Sequence, residues 1–266
     1  MRVSLKENLV LYFHYLSIAL RSSMQYKTSF FLIVTGRFLV SFNAILGAYF
    51  VFQRFHVVKG YEFGEVLLCF SIIQMSFSLC EAVSHGFSNF AGIVRRGGFD
   101  RILLRPRSAI LQLLGSEFDV SRIGMLLQGL VMFVYGIVIS PVDWTWGRVI
   151  TVVMMLSGGT VLFASIFLLE AALSFFTLEG LEAVNILSYG AKEHGKYPVD
   201  IYGKGMMKFC TYVIPYALIQ YYPLQYLLGR ADAWYYSLYP LGTLPFALVC
   251  YYLWRLGIRH YQSAGS

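Results

Sequence analysis

From Arg148 to Phe176 the chain reads RVITVVMMLSGGTVLFASIFLLEAALSFF, with Glu170 as its only internal charge. A bilayer crossing needs about 20 consecutive, mostly apolar residues, and this run exceeds that length without an alternating or one-sided polar pattern. Comparable runs occupy 29–53, 63–85, 120–139 and 234–254; the first is interrupted only by Arg37 and Asn43. Composition agrees. Of 266 residues, 58% are hydrophobic and 13% charged, whereas ordinary soluble domains carry about 25% charged residues. The mean hydropathy is +0.62. A soluble enzyme is excluded, and the fold class expected is an all-α polytopic membrane protein.

The charges then set the topology. The formal net charge is +7, but the Arg and Lys residues lie in the gaps between apolar runs, so they report membrane orientation and no nucleic acid partner is expected. Segment 86–117 carries Arg95, Arg96, Arg101, Arg105 and Arg107 against Asp100 and Glu117. An excess of arginine in a short loop marks the cytoplasmic side. Arg255, Arg259 and His260 follow the last run, which places the C-terminus on that side too. Within 4–24, Leu5, Leu9, Tyr12, Phe13, Leu16 and Leu20 share one helix face, and the run is too short to cross, so an N-terminal helix lying in the cytoplasmic interface is expected. Arg21-Ser22-Ser23 after it is not a small-residue cleavage site, and no cleavable leader is expected. With both termini cytoplasmic, the number of crossings must be even. Six is the natural count.

The fifth crossing has two readings. By hydropathy it is 206–228, which leaves the polar stretch from Thr177 to Gly205 in the cytoplasm. In the other reading, 182–197 is a short polar fifth helix and 206–228, broken by Pro215 and Pro223, is a re-entrant hairpin. Irregular backbone at membrane depth is tolerated where protein buries it.

The chemistry-bearing motifs are few. Cys69, Cys80, Cys210 and Cys250 all lie in apolar stretches with no CxxC or zinc spacing, and are expected to pack as small apolar residues, with no metal site. Gly190-Ala191-Lys192-Glu193-His194-Gly195-Lys196 matches the phosphate-binding pattern until Tyr197 takes the place of the Ser or Thr that would hold Mg²⁺. No catalytic residue and no cofactor are expected in this chain. Arg37, Glu81 and Glu170 are the ionisable residues deepest in the runs, and an ion pair of Arg37 with either glutamate is one arrangement that would lower the cost of their burial.

The order of an interfacial helix, two spans, an Arg-rich loop reading Gly97-Gly98-Phe99-Asp100-Arg101-Ile102-Leu103-Leu104-Arg105-Pro106, further spans, and then Tyr197-Pro198, Ile214-Pro215 and Tyr222-Pro223 resembles the ABC-2 type transporter permeases. More narrowly, it is similar to the short permeases related to daunorubicin-resistance exporters. The resemblance covers essentially the whole chain. It implies a transmembrane subunit of the bacterial inner membrane that pairs with a second permease chain, identical or homologous, and is driven by two separate ABC ATPase subunits, which would hold the ATP and Mg²⁺. It implies that an element around 94–106 docks on the ATPase, involving Arg95, Arg96, Gly97, Gly98, Phe99, Asp100, Ile102, Leu103, Arg105 and Pro106. It also favours the hairpin reading, with the hairpin near the outer mouth, where Tyr212, Tyr216, Tyr221 and Tyr222 are candidates for a substrate path. The expected function is ATP-driven export of an amphipathic or hydrophobic solute such as a drug, antibiotic, peptide or lipid. The competing classes are an intramembrane enzyme, for which Glu81 with His85 is the only pair at helical spacing, and a channel or scaffold without an ATPase.

Overall fold

The computed structural model describes residues 5–177, 189–195 and 197–261. Five helical stretches among them are long and apolar enough to cross a membrane: Val10–Phe55, Phe63–Arg95, Arg122–Ile139, Trp146–Leu173 and Trp234–His260. The chain is an all-α polytopic membrane protein. In order, α1 (Leu5–Ser23), a 3₁₀ turn (Met24–Tyr26), α2 (Lys27–Ser41) and α3 (Asn43–Phe55) lead to a two-residue ribbon of β1 (Val57–Val58) and β2 (Tyr61–Glu62). Then follow α4 (Phe63–Ser88), three short helices α5 (Phe90–Arg95), α6 (Gly98–Leu103) and α7 (Ala109–Leu114), and two long ones, α8 (Arg122–Ile139) and α9 (Trp146–Leu173). The last part holds α10 (Ala191–His194), α11 (Lys204–Tyr212), α12 (Tyr216–Ile219), α13 (Tyr221–Leu227) and α14 (Thr243–His260), the last preceded by a 3₁₀ helix (Trp234–Gly242). The end of the bundle at Phe63, Ile139 and Trp146 is termed upper, and the end at Ser88, Arg122 and His260 lower.

Helix α4 is the axis. Of its most apolar window 83% is buried, against 6% for Val10–Phe55. A helix apolar on all sides is stable only when surrounded, and α8, α9 and residues 189–201 surround this one. A reciprocal capping box between Glu62 and Glu65 opens it. Helix α8 rises antiparallel to α4, and its glycines set how closely it packs. A Cβ at Gly129 would lie 2.8 Å from Met75, and one at Gly124 only 2.1 Å from the Val34 carbonyl of α2. Without an external hydrophobic drive, helices in lipid associate through such close backbone approach.

The first apolar run, expected as one span over 29–53, is two helices. The Phe42 amide bonds to the Leu39 carbonyl at 3.1 Å and the Ile45 amide to the Phe42 carbonyl at 3.0 Å, a tightened 3₁₀ step between α2 and α3. Ser41 Oγ bonds back to the Arg37 carbonyl at 2.8 Å, which bends helices. Similarly, the last run is 3₁₀ over Trp234–Gly242 and α-helical only from Thr243, with Pro240 inside the 3₁₀ part.

The segment 178–188, which holds the first part (182–188) of the expected 182–197 helix, lies outside the described residues. From Tyr189 onward the chain climbs α4. Tyr189 meets Glu81, Gly195 lies beside Cys69, and Asp200 meets Tyr61. It then turns back down through α11 to Tyr216, whose ring lies 5.8 Å from that of Phe163, about 25 Å along α9 from Trp146 at 1.5 Å per residue. Helices α12 and α13 return upward, so that Gln225 again meets Tyr61. Residues 206–228 therefore form a hairpin that enters and leaves at the upper end; hydropathy alone read them as a crossing.

Candidate functional site

At the lower end the arginine-rich segment is fixed to the bundle. Gly97 adopts φ 65°, a left-handed conformation that glycine allows cheaply, and this turns the chain from α5 into α6. Gln112 then bonds the carbonyls of Ile102 and Arg107 at 3.0 and 3.1 Å, and Asn89 bonds both carboxylate oxygens of Glu117 at 2.9 and 3.1 Å. Phe99 is fully buried. Its ring stands 5.1 Å from Phe90, 5.3 Å from Phe175, 6.2 Å from Trp254 and 5.0 Å from Tyr261, mostly edge-to-face, the favoured aromatic geometry. Phe99, expected among the residues that dock on the ATPase, instead faces inward and anchors α6 to α9 and α14. The outward apolar side chains are Leu103 and Leu104, 45% and 84% exposed, flanked by the exposed Arg101, Arg105, Pro106 and Arg107. Arg95 and Arg96 are also exposed, while Gly98, Asp100 and Ile102 are half-buried. Helix α1 lies across this end, with Tyr12 Oη 3.5 Å from the Val83 carbonyl and Tyr15 against Gly115.

Inside the bundle, Glu81 is held by a residue that the sequence had not singled out. Arg122 Nη2 lies 2.5 Å from Glu81 Oε1, and Arg122 Nε 2.8 Å from Asp119 Oδ2. Tyr189 donates to the same Glu81 oxygen at 2.7 Å. Arg122 opens α8 at the edge of its apolar run, where it reads as a flanking charge, and only the antiparallel register against α4 brings it to Glu81. The pairing of Arg37 with Glu81 or Glu170 does not form. Arg37 is exposed and has no ion pair among the described residues. Glu170 is buried, and its Oε2 has no hydrogen-bond partner among the described residues. His85 faces Glu117 at 3.9 Å. Asp119 lies outside the apolar helices. Burial works to raise its pKa, but the hydrogen bonds from Ser121 and the Arg122 guanidinium prevail and hold it below the usual value.

At the upper end Tyr61 grips both arms of the hairpin. Its hydroxyl donates to Asp200 Oδ2 at 3.1 Å and accepts from Gln225 Nε2 at 2.7 Å. Arg230 completes the clasp, 2.5 Å from Glu65 Oε2, 2.7 Å from the Gly60 carbonyl and 4.5 Å over the Tyr61 ring. The Tyr61 pKa is pushed above its ordinary value by burial and by the Asp200 charge beside it.

A family model described as ABC-2 family transporter protein matches residues 38–265. The chain belongs to that family. Comparisons with curated proteins and with solved structures give no match. The family makes the chain a membrane subunit of an ABC transporter, a permease and not itself an enzyme, and implies association with an ABC ATPase subunit.

The tyrosines marked as a substrate path are dispersed in this permease. Tyr216 is buried beneath the hairpin apex against Phe163, and belongs to the core, while Tyr212 points outward, 83% exposed. Tyr221 and Tyr222 pack edge to face at 5.3 Å, and Tyr222 stacks on Tyr239 at 4.6 Å. Tyr235 and Tyr236 extend that aromatic patch at the upper end. The string Gly190 to Gly195 carries helix α10 and lies against α4, with Lys192 Nζ 4.7 Å from the centre of the Phe77 ring.

Proposed function

We propose that this permease is the membrane half of an ATP-driven exporter of amphipathic or hydrophobic solutes in the bacterial inner membrane. Two permease chains form the pathway, and two ATPase subunits, carrying ATP and Mg²⁺, bind beneath them. The lower end faces the cytoplasm, and the hairpin lies at the outer mouth.

The observation that supports this best is the build of segment 90–107. Its outer surface offers two exposed leucines, Leu103 and Leu104, in a ring of arginines, while its inner surface is locked to α9 and α14 through Phe99. A movement imposed on Leu104 is therefore delivered to the long helices. An element that served only as a topology signal would need the arginines but not the buried anchor. The positive-inside rule supports the orientation, since Arg95, Arg96, Arg101, Arg105, Arg107, Arg255 and Arg259 gather at or near the lower end.

The test is site-directed cross-linking of a Leu104→Cys permease to its ATPase in native membranes, on a background with the four native cysteines replaced. Cross-linking that responds to nucleotide is expected at Leu104. Labelling of Ser108→Cys by a membrane-impermeant thiol reagent from outside intact cells would reverse the orientation and overturn the reading.

A further inference from the structure

Between α1 and the arginine-rich segment lies a cavity of about 410 Å³. Tyr15 closes it on the α1 side, its ring packed against Gly115, and Gln112 of α7 forms part of its wall. Gly98, Arg101, Ile102 and Arg105 line it as well. Their spacing is i, i+3, i+4 and i+7, one face of a helix, so the side of α6 that looks into the cavity is distinct from the side that carries Leu103 and Leu104. Arg96, just after α5, adds a third guanidinium.

The charges here do not cancel. No acidic residue among those described lines the cavity, and Arg96, Arg101 and Arg105 have no ion pair among the described residues. Glu117 is taken by Asn89, and Asp100 lies beside Tyr261. Counting Asp100 against one arginine still leaves the cavity positive. Gln112 is an independent observation. It is 8% exposed and uses its Nε2 on the Ile102 and Arg107 carbonyls, while its buried Oε1 has no partner among the described residues. Buried side-chain acceptors are normally bonded, so a donor is what this wall lacks.

We propose that this cavity binds the head group of an anionic phospholipid that also carries hydroxyls, of the phosphatidylglycerol type, as a resident lipid and not as cargo. Guanidinium forks match phosphodiester oxygens in bidentate geometry, and a head-group hydroxyl is the donor that Gln112 Oε1 lacks. A zwitterionic head group would bring its ammonium up to three arginines. Helix α1 argues for lipid as the source. Val10, Phe13 and Ile18 on it are largely exposed, and a helix with exposed apolar side chains of this kind lies in the head-group zone. Only the choice of the inner leaflet rests on the orientation given under the exporter reading.

The test uses full-length permease in detergent, supplied with dioleoylphosphatidylglycerol and dioleoylphosphatidylcholine at equal mole fraction. Native mass spectrometry counts the retained lipid. Selective retention of the anionic lipid is expected, reduced about fivefold by Arg101→Gln or Arg105→Gln and about 25-fold by both together. Arg101→Lys should keep part of it. Arg259→Gln, exposed at the same end but outside the cavity, should leave it unchanged. Dioleoylphosphatidylmethanol, with the same charge and no hydroxyl, should be retained more weakly; equal retention overturns the role given to Gln112. Equal retention of the glycerol and choline lipids overturns the proposal, as does an Arg259→Gln loss as large as that of Arg101→Gln, which would mean a diffuse attraction. Displacement of the lipid by millimolar glycerol phosphate would assign the cavity to a free anion and overturn it too. So would a double variant that keeps its lipid but loses ATPase capture, since an acidic segment of the ATPase would then be the occupant. The exporter reading fails separately: external labelling of Ser108→Cys reverses the leaflet and leaves the lipid selectivity in detergent as it was.

Discussion

Arg122 and Glu81 form an ion pair at 2.5 Å in which the Glu81 side chain is fully buried and the arginine nearly so. Breaking a buried pair from one side strands the remaining charge, typically at a cost of about 3–5 kcal/mol, whereas replacing both partners by apolar residues is often neutral. We expect Arg122→Met to lower the thermal unfolding midpoint in detergent sharply and Glu81→Leu with Arg122→Met to recover most of the loss. A double variant no more stable than Arg122→Met would mean that the pair is not the unit.

Phe99 and Leu104 separate folding from docking. Truncating a fully buried aromatic costs about 3–5 kcal/mol, so Phe99→Ala should lower stability and membrane abundance. Leu104→Asp, at an exposed position, should leave stability within about 0.5 kcal/mol while weakening ATPase capture at matched expression. Equal ATPase capture by Leu104→Asp and wild type would place the contact elsewhere.

The helix contacts of α8 rank two glycines. A methyl group at Gly124 meets the backbone carbonyl of Val34 at 2.1 Å, which cannot step aside, while at Gly129 the nearest atom is the side-chain Cγ of Met75 at 2.8 Å, with backbone no closer than 3.5 Å. Overpacking costs about 1–3 kcal/mol. Gly124→Ala should fall in or above that range and Gly129→Ala below it, as read from unfolding midpoints of the two purified variants.

Asp119 gives a pH dependence. Its folded pKa is depressed, so its stabilising contribution is full above the unfolded value of about 3.9 and is lost as pH falls through the folded one. The stability gap between wild type and Asp119→Asn should be constant near neutrality and shrink in acid. A gap that widens as pH falls would reverse the assignment.

What the sequence disclosed follows from what periodicity can carry. The run 148–176 announces a crossing because length and apolarity suffice for that, and Trp146–Leu173 is the helix found. The spacing Phe99, Ile102, Leu103 announces an amphipathic turn but not which way it faces. The apolar side of α6 meets Phe175, Trp254 and Tyr261, all remote in sequence, so the inward position of Phe99 was invisible. Arg122 was missed for a related reason, since only the depth of α8 against α4 gives it a partner. The chain reversal over 206–228 was legible through Pro215 and Pro223 only as one of two readings, because a hairpin entering from one face and a crossing have the same composition; in the structure Tyr61 meets both Asp200 and Gln225.

The enclosure of α4 has one more consequence. A helix shielded on nearly every side by its own chain has little boundary with acyl chains, so a change in bilayer thickness reaches it mainly through its neighbours. Hydrophobic mismatch, at a fraction of a kcal/mol per Å, is relieved by tilting or bending whichever helices touch lipid. In this permease those are α2–α3, α8 and α14, whose outer faces carry exposed apolar side chains such as Leu32, Val138 and Leu248. Thinner and thicker membranes should thus reorient this outer ring around a post that keeps its own geometry.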